Sequence, residues 1–465
     1  MSFNKISVVG LGYIGLPTAA MFASRKLEVV GVDVNQKAVD TINAGRIHIV
    51  EPDLDMLVQA AVHGGYLRAS TEPEEADAFL IAVPTPFKEH HEPDLSYIQS
   101  AALSIAPVLK AGNLVILEST SPVGATEQLT QWLAGARPDL RFPLNGEMNP
   151  DVSVAHCPER VLPGKVVREL VANDRVIGGM TPRCSERSVE LYRKFVVGEC
   201  VTTNARTAEM AKLTENASRD VGIAFANELS LICDKYQIDV WELISLANRH
   251  PRVNILEPGP GVGGHCIAVD PWFIVSSAPD ESKMIRTARR INDGKPHWVI
   301  NKVKDVLFTI LKRHPDRSAR DIKVACMGLA FKADIDDLRE SPALEITEAL
   351  SIDLPCTVMA VEPNIDALPT SLSSEFALVS TEEALEQADI VLMLVDHKEF
   401  KSIDPAKLAG RELVDTRGVF RQYRKQLAEQ QLETLNSNWS ISNENNHGVR
   451  NSARSNQNGA ARISA

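Results

Sequence analysis

The chain has 465 residues, which is too long for one hydrophobic core and indicates two or three domains. Apolar residues at 44% and charged residues at 24% are the proportions of a soluble globular protein. The net charge of −12, with no run of Lys and Arg to offset it, argues against nucleic-acid binding. Seven scattered cysteines argue against a disulfide framework and predict a cytoplasmic protein, and no apolar run is long enough to span a membrane.

From Lys5 to about Asn204, short apolar runs alternate with helical patterns. The runs are KISVVG, LEVVGVD, DAFLIAVPTP, NLVILEST and DRVIGG. Fully apolar runs of strand length are typical of buried parallel strands, with the intervening helices completing βαβ units. The pattern predicts a doubly wound, Rossmann-like α/β domain over residues 1–205.

The first of these strands leads into a glycine-rich turn, GLGYIG at residues 10–15, which opens a helix. Asp33 ends the second strand about 20 residues later, the spacing of a dinucleotide-binding fingerprint. Gly12 lets a pyrophosphate approach the backbone, and Asp33 accepts from a ribose 2′-hydroxyl, which favours NAD over NADP. Thr85 and Thr120 follow later strands and are expected at the same crevice. The alternative is a glycine turn that binds nothing.

The middle of the chain is helical. The stretch from Thr207 to Tyr236 contains no proline and predicts one long helix, with or without a break, that joins two halves. On it, Lys212, Asn216 and Arg219 fall at i, i+4 and i+7, which is one face. Such a polar stripe either points into a cleft between domains or is a solvated face. We assign a central helical domain to residues 206–312.

The α/β rhythm returns from Asp321 to Gly418 and predicts a smaller C-terminal α/β domain over residues 313–430. It does not repeat the glycine fingerprint. Lys332 and Arg339 follow its first strand, and such cations either bind a phosphorylated ligand or form a surface ion-pair network. Residues 431–465 are rich in Asn and Ser with little to bury, which predicts a disordered tail.

Cys266 lies in the glycine-rich stretch EPGPGVGGHCIAVDPW, outside any predicted helix or strand. Ordered glycines lose much conformational entropy, so the cluster indicates that some group comes close to the backbone. Three interpretations are open from the residues alone. Cys266 is a buried structural thiol, a zinc ligand through the His156-Cys157 and His265-Cys266 pairs, or a nucleophile.

A nucleophilic cysteine has a definite purpose in an NAD enzyme. Removal of one hydride from an alcohol leaves an aldehyde, to which a Cys266 thiolate adds, and the thiohemiacetal can lose a second hydride. Hydrolysis of the resulting thioester gives an acid. Lys212 would act as the base on the alcohol, and with Asn216 would stabilise the oxyanions.

Six segments, in this order along the chain, resemble the UDP-glucose/GDP-mannose dehydrogenase family: VVGLGYIGLP, ESTSPVGATE, CPERVLPG, RTAEMAKLTENASRDVGIAFANEL, GPGVGGHCIAVDP and GLAFKADIDDLRESPALEI. The resemblance runs from about Ile6 to Arg421. It implies oxidation of the C6 hydroxymethyl group of a UDP-sugar to a carboxylate with two NAD. The Gly-His-Cys-Ile form of the cysteine loop resembles the branch that takes N-acetylated hexosamines. Within the family, the chain as a whole is similar to the members that oxidise UDP-N-acetyl-D-mannosamine, which implies that sugar and enterobacterial common antigen synthesis, with UDP-N-acetylglucosamine and UDP-glucose as alternatives.

The resemblance also implies roles for individual residues. The catalytic set is Cys266 as nucleophile, Lys212 as acid/base, and Asn216, Asp270, Glu159 and Thr120 as supporting groups. The cofactor set is Gly10, Gly12, Tyr13, Ile14, Gly15, Asp33, Thr85, Thr126 and Arg339. The substrate set is Arg160, Val161, Arg219, His250, Arg252, Gly263, Lys332 and Arg417. Family members are dimers or larger, so a homodimer is expected, with Arg252 serving a neighbouring subunit.

Two functions of other classes remain open. One is a two-electron hydroxyacid dehydrogenase that uses Lys212 and Asn216 while Cys266 is structural. The other is a regulator that binds NAD or a nucleotide sugar without turnover. The expected ligands are NAD and a UDP-sugar; no resident metal, nucleic acid or membrane partner is expected.

Overall fold

The structure is a computed structural model that describes residues 3–423 and Gln426, apart from Val50, Glu89, His90, Pro163, His265, residues 370–371 and residues 373–375. The chain divides into two compact units. Unit 1 is Met1–Gly222 with His265–Arg290, and unit 2 is Ile223–Gly264 with Ile291–Ala465. The three domain boundaries expected from the sequence stay a prediction. The expected disordered tail, residues 431–465, lies outside the described residues.

Unit 1 contains an eight-stranded sheet in the order β3-β2-β1-β4-β5-β6-β7-β8. Its strands are β1 (Lys5–Val9), β2 (Glu28–Val32), β3 (Leu67–Ser70), β4 (Ala78–Ile81), β5 (Leu114–Leu117), β6 (Ser153–His156), β7 (Arg175–Gly179) and β8 (Cys200–Asn204). Because β1 pairs with both β2 and β4, the strand order reverses there, as in a doubly wound fold. The predicted Rossmann-like fold class is confirmed.

Three strands of this sheet, β3, β6 and β8, were not predicted from the sequence. Their sequences, LRAS, SVAH and CVTTN, are short and partly polar. The pairing also departs from the expected parallel arrangement at one place, where β6 and β7 run antiparallel. A fully apolar run indicates burial on both faces, but it does not report the direction of the strand.

Helices cover both faces of this sheet. They are α1 (Gly15–Ser24), α2 (Gln36–Asn43), α3 (Leu54–His63), α4 (Ser96–Ile105), α5 (Ala125–Ala136), α6 (Val166–Ala172) and α7 (Pro182–Tyr192). Alternate residues of β1 enter different cores: Ile6 and Val8 pack in the core that includes α1, and Val9 packs in the core that includes α4 and α5. This double burial explains why the strands are apolar throughout.

The long helix predicted from Thr207 to Tyr236 is confirmed as α8 (Ala205–Tyr236), which has 32 residues. The helices α9 (Val240–Ala247), α10 (Asp270–Ser277) and α11 (Lys283–Arg313) follow it along the chain. Within unit 1, Leu213 and Ala217 of α8 pack against Phe273 and Ile274 of α10. This contact brings the polar stripe of α8 to the first turn of α10.

Unit 2 contains a five-stranded parallel sheet in the order β11-β10-β9-β12-β13. Its strands are β9 (Lys323–Met327), β10 (Thr357–Val361), β11 (Ala377–Leu378), β12 (Ile390–Met393) and β13 (Glu412–Asp415). Its remaining helices are α12 (Pro342–Asp353), α13 (Thr381–Gln387) and α14 (Lys398–Lys401). Val324 and Cys326 of β9 pack in one core, and Ala325 and Met327 pack in the other. The second α/β fold is therefore also covered on both faces.

No helix within the described part of the chain combines the length and the apolar character needed to cross a bilayer.

Candidate active site

The predicted dinucleotide turn joins β1 to α1. Gly10 has a φ of +91°, and a Cβ on it would lie 2.7 Å from the carbonyl oxygen of Ala82. A Cβ on Gly15 would lie 1.7 Å from the carbonyl oxygen of Gly10, whereas a Cβ on Gly12 would meet no heavy atom within 4 Å. Packing therefore requires glycine at positions 10 and 15. Gly12 leaves the backbone beside the N-terminus of α1 accessible to a ligand. Open backbone at a helix N-terminus suits the pyrophosphate of NAD.

Asp33 holds the same turn in place. Its Oδ2 accepts the N–H of Leu11 at 2.9 Å, and its Oδ1 accepts the N–H of Asn35 at 2.9 Å. The carboxylate is only half-buried, and each oxygen has a second lone pair that can accept from a ribose hydroxyl. Asp33 thus organises the turn as well as being predicted to bind the cofactor.

The other predicted cofactor residues of unit 1 differ in accessibility. Tyr13 is 41% exposed, and Ile14 is the half-buried residue at the N-cap of α1. The Thr85 hydroxyl is buried, and within the described residues it has no hydrogen-bond partner. A buried hydroxyl without a protein partner indicates that a ligand or water satisfies it. The assignment of these residues to NAD stays a prediction.

Thr126, which is also predicted to bind the cofactor, is bonded to the long helix α8. It is fully buried, and its hydroxyl donates to Glu209 Oε1 at 2.6 Å. Glu209, on α8, also accepts the N–H groups of Gly124 and Thr126, at 2.7 and 2.8 Å. Burial raises the pKa of the Glu209 carboxyl. Glu209 is not recognisable from the sequence, because nothing local distinguishes it from a solvated glutamate one turn before Lys212.

The predicted catalytic residues of α8 meet the first residue of α10. Asn216 Nδ2 donates to Asp270 Oδ2 at 2.5 Å, and Asp270 is only 2% exposed. Burial raises the pKa of Asp270 to about 6, although the Asn216 bond and the charge of Lys212 both oppose the rise. An amide, a carboxyl group and an ammonium group therefore share one small region, and the solvated-face alternative for Lys212 and Asn216 does not apply.

Cys266 is exposed, so the interpretation of a buried structural thiol is wrong. Its carbonyl oxygen accepts the N–H groups of Val269 and Asp270, at 3.1 and 2.8 Å. These bonds form the turn that leads into α10. The cysteine is thus held only four residues before Asp270, on the approach to the same helix end.

A surface pocket of unit 1 collects four of the predicted site residues. It is lined by Arg160, Val161, Leu162, Asn173, Asp174, Lys212, Glu215 and Asn216. Arg160 forms a two-point ion pair with Glu215, with Nη2–Oε1 and Nε–Oε2 distances of 2.6 and 3.1 Å. Arg219 is exposed on α8, and Thr120 is half-buried after β5. The pocket therefore unites the CPERVLPG segment with the polar stripe of α8.

Glu159 is anchored by a buried network that sequence analysis missed. Its Oε2 lies 3.3 Å from Arg175 Nη2, and Arg175 Nη1 lies 3.8 Å from Glu118 Oε1. Tyr192 donates to Glu118 Oε1 at 2.6 Å, and the Arg175 guanidinium lies 4.7 Å from the Tyr192 ring centroid. Burial raises the pKa of Glu118 to about 7. The available sequence signal was Arg175 itself, a charged residue in an otherwise apolar strand.

The glycines before Cys266 lie in close contact with other parts of the chain. They are packed against unit 2's own residues: a Cβ on Gly259 would lie 2.6 Å from Arg417 Nη1, and one on Gly263 would lie 2.2 Å from the carbonyl oxygen of Glu340. Gly264 has a φ of +84°, and a Cβ there would lie 2.9 Å from the Phe331 ring. The close approach predicted from the sequence is real, but the chain itself makes it. The assignment of Gly263 to the substrate stays a prediction.

The remaining predicted site residues belong to unit 2. Lys332, Arg339, His250 and Arg252 are exposed, and Arg417 is half-buried. Arg339 pairs with Asp337 at 2.6 Å. His250 Nδ1 accepts the N–H of Arg252 at 3.4 Å. Arg417 donates to Asp396 Oδ1 from Nε and Nη2, at 3.0 and 2.7 Å.

The two residue pairs of the zinc alternative differ in accessibility. His156 and Cys157 are fully buried, whereas Cys266 is exposed. Burial raises the pKa of the Cys157 thiol to about 12. In the part of the chain that the structure describes, no group of three or more His, Cys, Asp and Glu side chains is placed to hold a metal.

Three family models match the chain one after another. They are the NAD binding domain over residues 4–196, the central domain over residues 206–294 and the UDP binding domain over residues 325–422 of one family. The chain belongs to the UDP-glucose/GDP-mannose dehydrogenase family. NAD is the cofactor of this dehydrogenase family, and the open glycine turn with Asp33 fits it.

Curated relatives within this family carry two kinds of name. The UDP-N-acetyl-D-mannosamine dehydrogenase of Yersinia pestis is 64% identical over 90% of this chain and 100% of its own length. The enzyme of the same name from Escherichia coli K12 is 63% identical with the same coverage. The NDP-N-acetyl-D-galactosaminuronic acid dehydrogenase of Ralstonia nicotianae is 63% identical over 90% of this chain and 97% of its own length.

Solved structures agree with this family fold. The UDP-D-ManNAc dehydrogenase of Pyrococcus horikoshii superposes with a TM-score of 0.79, at 39% identity, over 89% of this chain and 96% of the other. The UDP-N-acetyl-mannosamine dehydrogenase Cap5O of Staphylococcus aureus superposes with a TM-score of 0.76, at 42% identity, over 89% of this chain and 95% of the other.

Proposed function

We propose that the chain oxidises UDP-N-acetyl-D-mannosamine at C6 to UDP-N-acetyl-D-mannosaminuronate, with two NAD consumed per sugar. The observation that carries the proposal is the placement of an exposed Cys266 four residues before Asp270, whose carboxyl group accepts from Asn216. A two-electron dehydrogenase has no use for an exposed cysteine at that position. A four-electron dehydrogenase needs one to convert the aldehyde into an oxidisable adduct.

Each of these residues has a role in one step of the proposed oxidation. Lys212 takes the proton of the C6 hydroxyl while Asn216 donates to the C6 oxygen. NAD, when bound, accepts the hydride of each oxidation. Cys266 sulfur adds to the aldehyde carbon, and after the second oxidation it is expelled from the thioester by water held near Asp270. One alcohol, one water and two NAD⁺ give one carboxylate, two NADH and three protons.

The choice of sugar rests on the relatives. Of eight curated relatives at 62–64% identity, six have names that specify UDP-N-acetyl-D-mannosamine, and two have names that specify an NDP-N-acetyl-D-galactosaminuronic acid. The identities of the two groups are nearly equal, at 62–64% and 63%. Both groups point to an N-acetylated hexosamine, which disfavours UDP-glucose. The product would then serve a polysaccharide such as enterobacterial common antigen.

The test is the number of NADH formed per sugar consumed. Purified protein is given UDP-ManNAc, UDP-GalNAc, UDP-GlcNAc and UDP-glucose in parallel, and NADH absorbance is compared with sugar loss. We expect two NADH per UDP-ManNAc and little turnover of the others, because the stereochemistry at C2 and C4 decides how the hexose meets the pocket. A ratio of two on another sugar would correct the substrate. A ratio of one would return Cys266 to a non-catalytic role.

We also propose a homodimer or higher homo-oligomer. Phe225, Ile232 and Tyr236, on the unit 2 part of α8, are 51%, 45% and 66% exposed. Their spacing of seven and four residues places them on one helix face, with the half-buried Leu229 between the first two. A continuous apolar stripe on a long helix fits a second copy of the same helix, in line with the dimers that the family resemblance implies.

Phe225→Glu should dissociate this assembly. A charge in this apolar stripe removes aromatic burial and costs about 2 kcal/mol or more of binding free energy, which raises the dissociation constant roughly thirtyfold. Sedimentation velocity over a concentration series measures the change. Met56→Glu on α3, where Met56 is 62% exposed, is the matched control and should sediment like the unmodified protein. Unchanged assembly of the Phe225→Glu protein would place the interface elsewhere.

A cytoplasmic location is proposed for the same protein. All seven cysteines are thiols in the structure, which suits a reducing compartment.

A further inference from the structure

The turn after β9 in unit 2 is built like the NAD turn of unit 1, although its sequence lacks the second and third glycines. Gly328 has a φ of +97°, and its N–H donates to the carbonyl oxygen of Val361 at 2.8 Å. The next N–H, from Leu329, donates to the carboxylate of Glu362 at 2.8 Å. Glu362 follows β10 as Asp33 follows β2. The turn after the first strand of each α/β fold therefore has the same backbone arrangement.

Glu362 differs from Asp33 in having no capacity left for a ligand. It is 4% exposed, and its Oε2 accepts the N–H groups of Leu329 and Ala330 at 2.8 and 2.9 Å. Its Oε1 accepts the backbone and side-chain N–H groups of Asn364, at 3.1 and 3.0 Å. Burial opposes its ionisation, but these bonds, with one from His397, lower its pKa to about 2. Glu362 is a fixed anion that faces inward.

His397 completes this arrangement. It is 1% exposed, its Nε2 lies 3.1 Å from Glu362 Oε2, and its Nδ1 accepts the N–H of Asp334 at 2.9 Å. Asn364 Nδ2 also lies 3.1 Å from Nδ1. Nδ1 therefore faces the backbone N–H of Asp334 and the Asn364 amide, and Nε2 faces Glu362. Phe400 packs edge-on against the ring, with centroids 5.2 Å apart.

The two buried side chains hold both ends of one short loop. Glu362 binds the loop at Leu329 and Ala330, and His397 binds it at Asp334. Asp334 has a φ of +62°, which is unfavourable for a residue with a Cβ and persists only where neighbours impose it. Lys332 lies between these anchors and is exposed.

We propose that His397 and Glu362 are positioning residues that fix the loop of residues 329–334, so that Lys332 is presented to a uridine diphosphate group without either residue touching it. The inference rests on the proposed function, on the family resemblance, which implies that Lys332 binds the UDP-sugar, and on the match of this region to a UDP binding domain. A preorganised ammonium group loses less entropy when it binds a diphosphate than one on a disordered loop.

The experiment compares His397→Leu with His397→Asn. Leucine fills the space but removes both bonds, whereas the Asn amide oxygen can still accept the N–H of Asp334. UDP affinity is measured by calorimetry, and amide hydrogen exchange of residues 329–334 is followed without ligand. We expect His397→Leu to weaken UDP binding about tenfold, the change expected when one or two ordering hydrogen bonds are lost. Exchange of the loop should speed up, KM should rise, and kcat at saturating sugar should stay within about twofold.

Phe400→Leu is the control for packing, because Phe400 touches the His397 ring and makes no hydrogen bond to the loop. It should lower the melting temperature as His397→Leu does, while UDP affinity stays within about twofold. His397→Asn should recover most of the UDP affinity lost in His397→Leu.

The outcomes separate the two proposals. If His397→Leu binds UDP as tightly as the wild-type protein does, the positioning role is overturned and the proposed function stays intact. An equal loss of affinity in Phe400→Leu overturns it as well, since packing alone would then explain the effect. Failure of the wild-type protein to bind UDP would overturn the ligand assigned to Lys332 and the proposed function with it.

Discussion

The Cys266→Ser protein is expected to lose steady-state NADH formation by about a thousandfold or more, while it still binds NAD and the UDP-sugar. A serine hydroxyl is almost wholly protonated near neutral pH, so it adds to the aldehyde far more slowly than a thiolate. Any oxygen ester that does form is also a poorer acyl donor than a thioester. The reaction should therefore stall at an enzyme-bound intermediate.

Rapid mixing and intact-mass analysis distinguish the possibilities. We expect slow formation of no more than two NADH per active site, followed by near-complete arrest and an increase of the protein's mass by the sugar nucleotide. Cys200→Ser is the matched control, because Cys200 is half-buried on β8 and takes no part in the proposed chemistry. It should turn over like the wild type. Normal acid production by Cys266→Ser would rule out the covalent mechanism.

The cofactor half of the site was predictable because its determinants are local. The glycine spacing at residues 10–15 specifies a turn, and the structure shows why: two positions admit no Cβ and Gly12 stays open. The long helix α8 and its polar face were predictable for the same reason, since a 3.6-residue period needs no distant partner. In each case neighbouring residues determine the feature.

The contacts that orient the site were not predictable, because their partners are far apart in sequence. Thr126 donates to Glu209 across 83 positions, and Tyr192 donates to Glu118 across 74. No periodicity encodes such a pair. The cysteine loop shows the same limit: its glycines indicated a close approach, but only the structure identifies Arg417 and Phe331 as the groups that approach. A single sequence indicates that a glycine backbone is closely approached, but it does not identify the residues that approach it.

The Asp270→Asn protein is expected to be nearly inactive and yet more stable than the wild type at pH 8. Asp270 is 2% exposed, and its pKa of about 6 in the folded protein lies above the usual 3.8. The folded state therefore binds the Asp270 proton more tightly than the unfolded state does. The stability that the protonated Asp270 contributes is fully present below pH 4 and is lost as the pH rises through about 6. Above that pH, the ionised carboxylate lowers the free energy of unfolding by about 1–3 kcal/mol. Asparagine has no such cost and can still accept from Asn216 through its amide oxygen.

Urea denaturation at pH 4 and pH 8 measures this difference. We expect the free energies of unfolding of wild type and Asp270→Asn to agree at pH 4 and to diverge by about 1–3 kcal/mol in favour of the variant at pH 8. Asp139→Asn is the control of opposite sign: the hydrogen bond from Arg137 lowers the pKa of this exposed carboxyl group, so the variant should gain no stability over the wild type at pH 8. In the same preparations, kcat of Asp270→Asn should fall at least about a hundredfold, because the variant lacks the carboxylate that is proposed to hold Lys212 and the attacking water. If the variant is less stable than the wild type at pH 8, the ionised Asp270 stabilises the fold. The burial of Asp270 would then be explained by stability and would give no support to a catalytic role.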